Sequence, residues 1–141
     1  MFDVLEPYKS TDHFFLAENT ALEKVCNAPK NGVGVYLVYQ LKNGRIELVY
    51  VGNSGKVSQT GKVRKDIGGL FNEIVKGQQF GGERQKTWKQ KIKDENIEAF
   101  DIYWYETVDK TNFDIPTYVQ GLVLQLYLHM YGTLPKWNSE F

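Results

Sequence analysis

The strongest local constraint on this chain is a two-residue turn. Asn43-Gly44 stands between two runs rich in β-branched and aromatic residues, 33–40 (VGVYLVYQ) and 46–51 (IELVYV). Asn-Gly supplies the positive φ that a tight hairpin turn demands, so the two runs are expected to pair as antiparallel strands. A capping-box spacing at Thr20-Ala-Leu-Glu23 predicts a helix from Thr20, stopped by Pro29-Lys30-Asn31-Gly32. Gly52-Asn53-Ser54-Gly55 breaks the second strand, and a polar loop follows to Asp66. Leu70, Phe71, Ile74 and Val75 recur at helical spacing over 69–76, with Gly77 as the stop. Residues 100–108 (FDIYWYETV) predict a third strand. Ile102, Trp104 and Glu106 share one of its faces, and Asp101, Tyr103 and Tyr105 the other. Asp114 before Ile115-Pro116 opens a last helix, which ends near Tyr131 at Gly132 and Pro135. The expected class is α/β (α+β): a small three-stranded antiparallel sheet flanked by helices, in the order α-β-β-α-α-β-α. One domain over 1–141 is expected, with 1–31 as an N-terminal helical extension.

Charge limits the partners. Seventeen basic and seventeen acidic residues give a formal net charge of zero, which excludes a uniformly basic nucleic-acid binder. A local strip remains: Arg84, Lys86, Lys89, Lys91 and Lys93 cluster around Phe80 and Trp88 with Glu83 as the one nearby acid. Cys26 is a lone cysteine, which rules out an intramolecular disulfide and reads as a small apolar residue. No Cys/His cluster is spaced to hold zinc. The N-terminus lacks a basic start followed by an apolar run, and no stretch approaches the roughly 20 apolar residues of a membrane span. A cytoplasmic location is expected.

Two tripeptides stand at the hairpin: Gly34-Val35-Tyr36 on the first strand and Tyr50-Val51-Gly52 closing the second. With Leu134-Pro135-Lys136-Trp137-Asn138 near the end, they resemble the paired motifs and the closing proline-to-asparagine segment of the GIY-YIG nuclease family. The resemblance implies a metal-dependent endonuclease, using Mg2+ or Mn2+, that hydrolyses phosphodiester bonds of DNA. It implies that both motif tyrosines, Tyr36 and Tyr50, face the scissile phosphate beside an arginine, with a helical glutamate holding the cation. It further implies that Gly34 and Gly52 keep the backbone open and that Asn138 braces the site. These roles agree with elementary chemistry, since charge that builds up on a phosphodiester is stabilised by a cation, a guanidinium and hydroxyl donors.

Two positions depart from the family pattern. Of the three arginines, Arg45 sits in the hairpin turn and Arg84 in the basic strip, where with Lys86, Lys89 and Lys91 it is expected to contact the DNA backbone. Arg64, just before the Gly-Gly helix start, is the expected catalytic arginine, although helical counting puts Asn72 or Glu73 where the family often has it. The segment from Ile115 to Ser139 contains no acidic residue. A helical wheel places Gln120 among Leu124, Tyr127 and Tyr131 in the apolar arc, whereas Gln125 lies with Gly121 and His129 on the polar face. Gln120 therefore stands where the resemblance implies the metal-binding glutamate. An amide offers one neutral oxygen but not the charge that suits a hard cation. The sequence reads either as a family member with cleavage weakened or abolished, or as a Glu-to-Gln form of an active one. His129 reads as a surface residue, and His13 has no assigned role.

Two functions follow. One is a small DNA endonuclease of restriction, phage or mobile-element type, using Tyr36, Tyr50, Arg64 and Gln120, with two copies conceivable for cutting both strands. The other is an inactive nucleic-acid- or protein-binding module on the same fold.

Overall fold

A computed structural model of the chain describes residues 2–64 and 69–141. A 3-10 turn at Asp3–Leu5 precedes β1 (Thr11–Leu16) and a one-turn helix, α1 (Leu22–Val25). The central hairpin is β2 (Gly34–Lys42) and β3 (Arg45–Ser54), followed by two-residue strands β4 (Lys56–Val57) and β5 (Val63–Arg64). Then come α2 (Gly69–Lys76), the short strands β6 (Gln78–Gln79) and β7 (Gly82–Glu83), α3 (Arg84–Asp94), β8 (Ala99–Glu106) and α4 (Pro116–Tyr131). Strands β1-β8-β2-β3 form one antiparallel sheet in that order, so the α+β class expected from the sequence is the one observed. Among the described residues no helix is long and apolar enough to cross a membrane.

The Asn-Gly turn forms as its chemistry requires, with φ of 52° at Asn43 and 71° at Gly44. The N-terminal third departs from expectation. Residues 11–16 are not part of a helical extension but a fourth strand, paired along its length with β8. Its pattern is weak because it is an edge strand, with Phe14 and Leu16 buried and Phe15 half exposed. Thr20 does not cap a helix; its hydroxyl bonds the backbone of Ala17. The helix begins instead at Leu22, whose N–H is taken by the side chain of Gln85. Asp114 likewise caps nothing, because its carboxylate accepts from the Tyr8 hydroxyl at 2.6 Å. Asp66, the end of the polar loop, lies outside the described residues.

The sheet is covered on both faces. One face packs Tyr36, Val38, Val49, Phe100 and Ile102 against Leu70, Ile74, Trp88 and Ile92 of α2 and α3. The other packs Val35, Leu37, Leu48 and Val51 against Val119, Val123 and Leu124 of α4 and the N-terminal Phe2, Leu5 and Tyr8. A register shift between Val38 and Tyr39 makes Val49 an extra residue in β3. That bulge puts Val49 and Tyr50 on the same side and turns Leu48 to the opposite core.

Gly52 pairs with Tyr36 across the hairpin, and a Cβ at Gly52 would lie 2.3 Å from the Tyr36 ring. The ring is enclosed and has nowhere to move. Gly52→Ala is therefore expected to cost about 1–3 kcal/mol by overpacking, but less than about 0.5 kcal/mol in a Tyr36→Ala background. Urea denaturation of the four proteins measures that coupling.

Candidate functional site

The bulge brings the two motif tyrosines to one face, with ring centroids 6.0 Å apart. Tyr36 is fully buried, and its hydroxyl has no hydrogen-bond partner among the described residues. Burial pushes its pKa up, the positive charge of Arg84 opposes the rise, and the neighbouring Tyr50 and Glu73 add to it. Tyr50 is half-buried at the rim.

The arginine on this face is Arg84. Its guanidinium carbon lies 5.6 Å from the Tyr36 ring centroid, 5.9 Å from that of Tyr50 and 5.5 Å from the Trp88 ring. The side chain is 3% exposed, packed against the tyrosines and Trp88 rather than displayed with the lysines on the outer surface of α3. Nη1 donates to the Glu73 carbonyl at 2.5 Å and Nε to Gln79 Oε1 at 3.2 Å, while the Glu73 carboxylate stands 3.9 Å from Nη1. Gln79 Oε1 also accepts from Trp88 Nε1 at 2.9 Å, which fixes the amide between indole and guanidinium. Gly77 permits the approach, since a Cβ there would sit 2.1 Å from Nη1.

Arg64, the arginine expected from sequence order, is exposed on β5 opposite Lys56 and makes no hydrogen bond, ion pair or ring contact with either tyrosine. The chain brings an arginine back to the tyrosines through α3 rather than through the loop. The signal was present: Arg84, Trp88 and Ile92 fall four residues apart, on the buried face of α3.

Gln120 points inward, as the helical wheel indicates, but from α4 and hence from the opposite core. Its Nε2 donates to the Val51 carbonyl at 2.9 Å, and its Oε1 accepts from Asn53 Nδ2 at 2.5 Å. Both polar ends are spent on β3, so this amide does not fit as a ligand of the implied cation. Asn138 binds the same peptide: its Oδ1 accepts from Val51 N–H and its Nδ2 donates to Val51 O, each at 3.0 Å. Gly34 is fixed by close approach, a Cβ there falling 1.9 Å from the Tyr105 carbonyl. Among the described residues no group of three or more His, Cys, Asp or Glu side chains gathers as a metal site.

The basic strip is thinner than the sequence suggests. Lys91 pairs with Glu95 at 3.6 Å and lies over the Phe80 ring, and Lys93 reaches Glu18 at 3.9 Å. Lys86 and Lys89 have no ion-pair partner among the described residues. His129 is exposed beside Gln125. His13, without a role in the sequence, bonds Asp101 at 2.7 Å. Comparison of the chain with protein-family models, with curated proteins and with solved structures finds no match.

Gln120→Glu tests the structural role directly. A carboxylate facing the Val51 carbonyl loses the donor and sets two acceptors together, so a loss of about 1–3 kcal/mol is expected at neutral pH. The introduced acid donates only when protonated, which raises its folded pKa above the unfolded value. The deficit therefore shrinks as pH falls. Thermal unfolding at pH 5 and 7.5, with and without added Mg2+, is expected to show this pH trend and no stabilisation by the metal.

Proposed function

We infer that this chain is a DNA endonuclease whose phosphate-facing group is Arg84 between Tyr36 and Tyr50. The observation that carries the reading is the buried guanidinium held against the rings of both motif tyrosines. A guanidinium in a site of low dielectric stabilises developing phosphate charge far more than it would in water. Tyr50, at the rim, offers its hydroxyl to a non-bridging oxygen. Tyr36 backs the cation with its ring. The Glu73 carboxylate, 34% exposed on the same face, is the group placed to take a proton from attacking water. Lys86 and Lys89, which have no ion-pair partner among the described residues, supply backbone contacts from α3. The Mg2+ or Mn2+ that the family resemblance implies finds no ligand in Gln120, and no step here runs through it.

The binding-module reading is favoured by one observation, the complete burial of Tyr36. Nicking of supercoiled plasmid separates the two. Cleavage by the wild-type chain is expected, with a loss of about 10²–10³-fold in Arg84→Lys, which keeps the charge but not the fork. Arg64→Ala is expected to cut at the wild-type rate. A wild-type chain that binds DNA in a gel-shift assay yet cuts nothing in Mg2+, Mn2+ or EDTA supports the module instead.

A further inference from the structure

On the opposite face of the sheet from Arg84, a recess of about 510 Å³ opens between the N-terminal segment and the ends of β2 and β8. It lies within the size range of small-molecule sites. Tyrosines Tyr8, Tyr39, Tyr103 and Tyr105 line it together with Asp101. The Tyr39 and Tyr103 rings stand nearly perpendicular, at 77° with centroids 5.6 Å apart, and present two orthogonal π walls. Asp101 pairs with Tyr39 across the strands and precedes Tyr103 by two residues on the same face. The carboxylate thus sits at the base of these walls, 9% exposed.

His13 holds that base in place. Its ring stacks on Tyr103 with centroids 4.6 Å apart, and its Nδ1–H donates to Asp101 Oδ1 at 2.7 Å. Burial, and after it the charge of Asp101, raise the hydroxyl pKa of Tyr103, and Asp101 contributes to the same shift in Tyr39. The phenols are therefore neutral, and Asp101, bonded to His13, is the acid that lines the recess between them. Glu6 and Lys9, both exposed at the mouth, offset one another.

A desolvated carboxylate framed by electron-rich ring faces has one natural complement, an organic cation. We propose that this recess is a binding site for an alkylammonium group, quaternary or methylated, seated between Tyr39 and Tyr103 with its charge toward Asp101. The group reaches the site either as a free small amine or on a methylated lysine side chain.

Choline is the first probe, and 3,3-dimethylbutan-1-ol, its uncharged carbon isostere, the control. A short glycine-flanked peptide carrying trimethyllysine, compared with its unmodified form, distinguishes the second source. Saturable shifts of the Tyr39 and Tyr103 ring signals are expected in NMR titration with choline or the methylated peptide, the tighter of the two identifying the source. The isostere is expected to bind about tenfold more weakly. Asp101→Asn, nearly isosteric, is expected to weaken ammonium binding about fivefold or more. Tyr103→Phe retains binding and Tyr103→Leu loses it, which keeps the test intact should Asp101→Asn fold poorly. Equal binding of the isostere, an unchanged affinity in a folded Asp101→Asn protein, or preference for a flat neutral base such as cytidine overturns the proposal.

Discussion

The Val51 peptide holds this molecule together at the end that carries Tyr50. On β3, an outer strand of the sheet, its N–H and C=O would otherwise be unpaired; instead Asn138 binds both and Gln120 binds the carbonyl again. These bonds tie the C-terminal segment and α4 to the strand that carries Tyr50. Each contributes about 0.5–1.5 kcal/mol net, but losing one partner exposes the larger cost of a buried group without a bond. The Val49 bulge, one residue before Tyr50, depends on the same anchoring: the tail bonds it through Trp137 N–H to Val49 O at 2.9 Å. Without the bulge Tyr50 would face α4 rather than Tyr36.

On the other side of β3 the arrangement is electrostatic. A buried guanidinium is costly unless its donors and charge are satisfied. Arg84 meets that cost only partly, with two side-chain bonds, a distant carboxylate and three ring faces. It packs against the ring of Tyr36, a fully buried phenol, in a region where stability alone would prefer apolar residues. Under the proposed function, a phosphate oxygen is the group that this buried charge would stabilise.

Local rules carried much of the fold. Asn43-Gly44 fixed the hairpin, the four-residue spacing from Leu70 to Ile74 fixed α2, and Gly132 ended α4 in the left-handed conformation expected of it, at φ 75°. What escaped was set by partners distant in sequence. β1 exists because β8 offers it a ladder, and Thr20 lost its capping role because Gln85 reached Leu22 first. Within the site, the tyrosines were legible as a pair from the two hairpin motifs, but not their common face, which local alternation does not give. Arg84 was misassigned to the surface because charge clustering outweighed its place on the Trp88–Ile92 face. Gln120 was correctly turned inward, but periodicity does not say which side of a sheet a helix covers. The bulge at Val49, invisible to strict alternation, decides which residues share a face with Tyr50.

The central claim is that Arg84 and Tyr50 meet the phosphate, and side-chain NMR tests it without requiring turnover. Titration with a phosphorothioate-substituted duplex, followed on the arginine Nε–H signals and the tyrosine rings, reports each candidate separately. The account predicts that the Arg84 Nε–H, bonded to Gln79 in the free protein, and the Tyr50 ring shift together and saturate at one concentration, while Arg64 stays unmoved. Saturable shifts at Arg64 and the β4–β5 hairpin, with Arg84 unchanged, would contradict it.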